Sequence, residues 1–166
     1  MKRATRWATG TVLFAALGAA MGPAAAQGMA KEGLIDISTC WSGMSSIIAF
    51  SKNHSANSFE FTGTTRSNGP GGAFDLRAFR CVGTVNAIEG KAPGNVTCES
   101  VDKDGDRYFT QYVGEGTKYT GTVLAGTGKY EGMVATFNSE SIGPFPVVKP
   151  GTFQNCSRQT GNYTLK

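Results

Sequence analysis

The sequence predicts an all-β fold: an antiparallel up-and-down meander closing into a barrel of roughly eight strands. Three observations carry this. No window sets apolar residues at i, i+3, i+4 and i+7 behind a good cap, so helical periodicity is missing. Runs of Val, Ile, Phe, Tyr and Thr alternate with polar residues instead. In Ser58–Thr64, Phe59 and Phe61 fall on one face of a strand and Glu60 and Thr62 on the other. Glycines and Asn/Asp clusters recur about every ten residues between these runs, at turn spacing. Sequential hairpins build a meander, and closing it removes the unpaired sheet edges. A two-sheet β-sandwich is the alternative.

The chain has two parts. Residues 1–26 read as a secretory signal peptide: Lys2, Arg3 and Arg6 make a basic start and an apolar run follows through Thr11–Ala20. Pro23 breaks that run, and Ala24-Ala25-Ala26 offers a small-residue cleavage site before Gln27. The run is too short to cross a bilayer, which takes about 20 residues, so no membrane span is expected after cleavage. Residues 27–166 are then one domain of 140 residues, the 166 less the leader. The expected location is periplasmic or secreted.

The leader also carries the basic bias. Without its three cations, 13 Lys+Arg face 12 Asp+Glu, a net of +1 from the 16 and 12 of the whole chain. No cationic run remains in the domain, which argues against a nucleic-acid partner.

The strands follow in order. Leu34–Thr39 and Met44–Phe50 come first, then Ser58–Thr64. The loop Asn68-Gly69-Pro70-Gly71-Gly72 leads to Phe74–Val82, and a turn through Gly90 and Pro93-Gly94 leads to Asn95–Val101. Asp104-Gly105 is a two-residue hairpin signal of type I′ before Arg107–Val113. Gly114-Glu115-Gly116 precedes Lys118–Leu124, and Met133–Asn138 comes after Gly126-Thr127-Gly128. A proline loop (Pro144, Pro146, Pro150) leads to Thr152–Cys156 and Asn162–Leu165. Gly105, Gly126, Gly128 and Gly132 are read as structural turn glycines, with Gly126 and Gly128 free to take positive φ.

Four cysteines lie in the domain, an even count that suggests two disulfides in an exported chain. A turn centred between Glu89 and Gly90 sets Cys81 opposite Cys98 on neighbouring strands. Opposed positions have Cβ atoms about 4.5–5.5 Å apart, close enough for modest twist to bridge. Cys40 and Cys156 remain, and their pairing would join the first strand to the last.

Motifs that promise chemistry fail on counting. Gly126-Thr127-Gly128-Lys129-Tyr130-Glu131-Gly132-Met133 looks like a phosphate loop, but a Walker motif would need glycine where Val123 stands and Ser or Thr where Tyr130 stands. The stretch reads as the tight end of a hairpin, leaves Lys129 without a partner, and is echoed by Lys118-Tyr119-Thr120-Gly121. Gly121 and Gly132 would admit a bulge or a neighbouring ring.

Asp102, Asp104 and Asp106 form the weak metal candidate. The glycine is misplaced for a calcium loop and its twelfth position is Val113, so no metal and no cofactor is expected. His54 sits in a polar stretch. Ser45 lacks the final glycine of a nucleophile elbow. Glu60 and Glu99 lie in strands, out of phase with the apolar residues, and should face solvent. No catalytic residue stands out.

The Gly126–Gly132 stretch resembles the G-[TS]-G-x-[FY]-x-G hairpin of the allene oxide cyclase and dirigent β-barrels. It is also similar to small exported bacterial proteins with a like order of Arg80-Cys81, the turn Val101–Asp106, Gly126–Tyr130 and a terminal Gly161–Leu165. The resemblance spans about the last 90 residues and implies an eight-stranded calycin-like barrel. It carries no active-site residue across.

The aromatics Phe59, Phe61, Phe74, Phe79, Tyr108, Phe109, Tyr112 and Phe137 are expected mostly to fill the core. A small barrel can also hold one small ligand, and Phe59, Phe61, Tyr108 and Tyr112 are the candidate ligand contacts. The expected function is non-catalytic binding of a small apolar molecule or of an envelope protein. The alternatives are a cyclase or isomerase acting on a lipid-like substrate, and a periplasmic inhibitor of a secreted hydrolase using the loop Gly143–Gly151.

Overall fold

The computed structural model describes residues 28–70 and 72–166. The expected signal peptide, residues 1–26, lies outside them. Eight strands follow in chain order: β1 (Glu32–Ser51), β2 (His54–Ser67), β3 (Arg77–Ile88), β4 (Pro93–Val101), β5 (Arg107–Glu115), β6 (Lys118–Gly126), β7 (Met133–Ser141) and β8 (Thr152–Leu165). Each pairs antiparallel with the next, and β8 pairs with β1 to close the barrel. The sandwich alternative is excluded.

Period-two alternation decides which residues face in. On β1, Ile35, Ile37 and Thr39 are buried while Leu34 is 81% exposed. On β3, Arg77 and Cys81 are buried and Ala78, Arg80 and Val82 are exposed.

The disulfides link Cys40 to Cys156 and Cys81 to Cys98. Each pair is directly opposed across its ladder, β1 against β8 and β3 against β4, with Cα atoms 4.1 Å apart. Cys81 and Cys98 face the interior. The pair across β1 and β8 closes 116 residues of chain over the seam that completes the barrel.

Several local expectations are corrected. The first two predicted strands are one, running through Gly43, and the last two are also one. Phe74 precedes β3, and its ring is buried under one end of the barrel. A strand could not have pointed both Phe74 and Phe79 inward, because they are an odd number of residues apart.

Asp104-Gly105 is not a two-residue type I′ turn. Val101 pairs with Arg107, which leaves the five-residue loop 102–106. The Asp102 carboxylate accepts hydrogen bonds from the backbone N–H groups of Asp104 (2.8 Å) and Asp106 (3.1 Å), and this Asx-type turn sets the longer loop. Type I′ geometry occurs at Glu89-Gly90 instead, with φ of +50° and +83° and with Ile88 and Lys91 exchanging hydrogen bonds at 2.8 and 3.0 Å.

The stretch Gly126–Met133 is not a tight hairpin end. Pairing of β6 with β7 stops at Thr122–Thr136, and Gly128–Tyr130 form a 3-10 turn that carries Tyr130 inward to complete burial. Its echo has a different geometry, since Lys118–Gly121 is the start of β6. Gly105, Gly128 and Gly132 have positive φ, whereas Gly126 does not; a side chain there would strike the Tyr130 backbone. Gly121 does admit a ring, because a Cβ would stand 2.5 Å from Phe137.

Lys129 has partners after all. Its ammonium lies 2.5 Å from the Asp102 carboxylate and 3.1 Å from that of Asp104, while its backbone N–H donates to Asp106 at 3.1 Å. Two of the three acids thus hold a cation the chain supplies itself, and the third holds that residue's backbone. Among the described residues no cluster of His, Cys, Asp and Glu is arranged to hold a metal ion.

Candidate functional site

The two ends of the barrel are built differently, and the difference makes the site. At one end the connections β2–β3, β4–β5 and β6–β7 converge. Phe74 and Tyr130 fill that end, with ring centroids 6.1 Å apart, and both rings pack on Tyr108 at 6.1 and 5.1 Å. Tyr163 packs edge-on against Phe74 at 5.3 Å. The Asp102–Lys129 ion pair braces this end from the side.

Above that plug lies a cavity of about 290 Å³. It reaches the exposed β5–β6 turn at Gly116 and Thr117 and so opens at the opposite end. The volume is at the small edge of the range typical of ligand pockets.

The rim is aromatic. Phe61 lies 5.5 Å from Trp41, 5.9 Å from both Phe59 and Phe153, and 6.3 Å from Phe79, ring centre to ring centre. These rings come from four strands and meet because each occupies an inward position of its strand. Small residues beside them leave room: a Cβ at Gly63 or Gly83 would run into the Phe79 or Phe59 ring.

Below the rim the lining turns polar. Thr39 and Ser157 share a hydrogen bond of 2.9 Å, and Ser139 donates to Ser157 at 3.1 Å. Gln159 donates to Thr39 at 3.4 Å and accepts from the Tyr112 hydroxyl at 3.3 Å. Burial pushes the Tyr112 phenol up to about 12, which keeps it a neutral donor at ordinary pH. None of the cavity-lining residues is Asp, Glu, Lys, Arg or His, and the only sulfur on the wall is the Cys81–Cys98 disulfide.

One charge sits just past the floor. Arg77 is 2% exposed, and its guanidinium carbon lies 4.8 Å from the Phe74 ring centre and 4.9 Å from that of Tyr108. Its Nε donates to the Phe74 carbonyl at 2.8 Å. Burial pulls its pKa down to about 10, still well above neutrality, so the group is a buried cation.

All four candidate contacts line the cavity: Phe59 and Phe61 at the rim, Tyr112 on the wall and Tyr108 at the floor. Phe109 points outward and is 44% exposed, which corrects its expected place in the core. Glu60 and Glu99 lie on the outer wall, paired with Arg80 at 2.7 Å and Arg107 at 3.0 Å. His54 opens β2, and its ring shares a hydrogen bond with the Ser51 hydroxyl at 3.0 Å. Ser45 lies in β1 and its backbone N–H donates to the Gly151 carbonyl. The loop 142–151 exposes Phe145, Val147 and Val148.

Sequence reasoning missed Trp41, Phe153, Thr39, Ser157, Gln159 and Arg77. The signal for all six was period two: Trp41 and Thr39 are in phase with Ile35 and Ile37, Phe153, Ser157 and Gln159 with Tyr163, and Arg77 with Phe79 and Cys81.

No family model matches this chain, and no curated protein matches it. Among solved structures, a pterocarpan synthase dirigent protein is similar, at 12% identity and a TM-score of 0.49, over 92% of this chain and 100% of that one.

Proposed function

We propose that the protein is an exported, non-catalytic binding protein that takes a small, largely apolar molecule into the barrel lumen. The observation that carries this reading is the cavity itself: aromatic at the rim, polar but uncharged along the wall, and open at one end only. Such a lining holds an apolar body by area burial and orients it through a few hydrogen bonds. A filled lumen would instead have favoured an inhibitor acting through the loop Gly143–Gly151.

Export is part of the proposal. Residues 1–26 would be removed after Ala26, leaving 27–166 as the working domain in the periplasm or outside the cell. Two disulfides suit an oxidising compartment. Among the described residues no helix is long and apolar enough to cross a membrane.

One observation favours a second reading, a cyclase or isomerase. The chain of hydroxyls and amide from Ser139 to Tyr112 could stabilise negative charge developing on a bound substrate. No lining group ionises near neutrality to move a proton, so binding remains the preferred function.

Native mass spectrometry of protein purified from its own envelope tests the proposal, followed by titration with the neutral probe N-phenyl-1-naphthylamine. The expected result is a co-purifying small apolar mass, or saturable fluorescence enhancement at one probe per chain. Absence of both overturns the lumen reading.

A further inference from the structure

Just behind the cavity floor lies a cation that no carboxylate pairs with directly. Arg77 occupies the inward position of β3 next below Phe79 and Cys81, and both of these line the cavity. Its cross-strand partner Thr65 lines the cavity too, as does Tyr108, whose ring lies 4.9 Å from the guanidinium carbon. The group therefore stands directly behind the cavity floor.

A guanidinium has five N–H donors in a planar fork. Here Nε uses one on the Phe74 carbonyl. The two terminal nitrogens, which carry the other four, are buried without a hydrogen-bond partner. Buried charges are normally paired, because an unpaired one loses its hydration for nothing in return.

Two carboxylates lie close enough for their charge to act on Arg77, Asp102 and Asp75. Neither is free for it. Asp102 is ion-paired with Lys129 at 2.5 Å, and Asp75 is held by Arg66 at 3.0 Å and by the Ser67 N–H at 2.9 Å. The Phe74 and Tyr108 rings offset part of the charge through their faces, but rings accept no N–H bonds in the plane of the fork. The unused donors suit a planar two-oxygen acceptor.

We propose that Arg77 is the anion anchor of the lumen, and that the ligand class is a small amphipathic monocarboxylate whose acid group meets the guanidinium at the floor while its apolar body lies among the rim rings. This rests on the lumen being a binding site. The uncharged wall between rim and floor fits the same class: it would pass an apolar body and leave a single place for charge.

Isothermal titration calorimetry with 4-phenylbutanoate and its neutral analogue 4-phenylbutan-1-ol at pH 7.5 tests the assignment. The wild-type protein should bind the acid about tenfold or more tightly than the alcohol, as one well-made charged hydrogen-bond pair implies. Arg77→Met should abolish that preference while leaving alcohol affinity within about twofold, as expected for loss of a single charged contact. If Arg77→Met fails to fold, the wild-type pair of ligands decides alone. Equal affinity for acid and alcohol overturns the anchor and leaves the lumen reading standing. A protein that binds N-phenyl-1-naphthylamine but neither phenylbutyl compound also overturns the anchor. Failure of all three probes overturns both readings.

Discussion

One end of this barrel is closed by its connections and the other is left open by them. At the closed end, three connections of five or more residues (68–76, 102–106 and 127–132) turn back and each places a side chain inward: Phe74, Asp102 and Tyr130. At the open end, the turns at Lys52-Asn53, Glu89-Gly90 and Gly116-Thr117 are too short to return anything to the axis. The fourth connection there, 142–151, is long but carries its apolar residues on the outside, with Val148 81% exposed. Closure thus depends on where a connection puts its large side chain, and length only permits it. The closed end contributes stability, and the open end leaves the aromatic rim uncovered.

Tyr130→Ala is the most damaging way to break that contrast. Tyr130 has no exposed surface and packs on Phe74 and Tyr108. Its removal leaves a void under the floor beside the Phe74 and Tyr108 rings. The expected loss is about 3–5 kcal/mol, the usual range for a buried aromatic, read from urea unfolding. A loss under about 1 kcal/mol would mean the plug is not a core element.

Lys129→Met attacks the brace beside the plug. Burial pushes the Asp102 carboxyl up, but hydrogen bonds from Lys129 and from the Asp104 N–H outweigh this and hold it below its usual range. A depressed folded pKa gives stability that is present above the unfolded value, about 3.9, and lost as pH falls through the folded one. Without Lys129 the burial contribution and the Asp104 N–H bond remain and oppose each other, so acid should cost the variant less stability than it costs the wild type. The variant should be about 2 kcal/mol less stable at pH 7, as for a buried charge left unpaired near the surface. Its deficit should narrow on going to pH 3. A constant deficit across that window would show that the pair does not set the acid response.

What was legible in the sequence follows the same division. The open end is made of tight turns and regular ladders, and those are local. A two-residue turn at Glu89-Gly90 fixes register, so counting outward from it set Cys81 against Cys98, and alternation placed Phe59 and Phe61 inward. The closed end is made of irregular connections whose shape depends on side chains reaching back to backbone. Asp104-Gly105 carries a strong hairpin signal, yet the Asp102 carboxylate captures two N–H groups and sets a five-residue loop instead. Gly126–Met133 has the residues of a tight turn, but burying Tyr130 outweighs a short hairpin. Arg77 was hidden by its charge, since period two placed it inside while the general rule for charged residues placed it outside.

At the rim the effect of a substitution should divide the other way. Phe153 is half-buried and touches Phe59 and Phe61 edge-on at 6.0 and 5.9 Å. It opens onto the cavity, so its truncation widens an existing space rather than creating a sealed one. Phe153→Ala should cost about 1 kcal/mol of stability, below the range for burying a whole ring. It should weaken N-phenyl-1-naphthylamine binding by about tenfold, since aromatic anchors in a desolvated pocket carry most of such affinity. Tyr130→Ala, by contrast, should show its effect chiefly as lost stability. If Phe153→Ala proved as destabilising as Tyr130→Ala, the rim would be core and the two ends would not differ in kind. Unchanged probe affinity in a folded Phe153→Ala protein would instead place the ligand away from the rim.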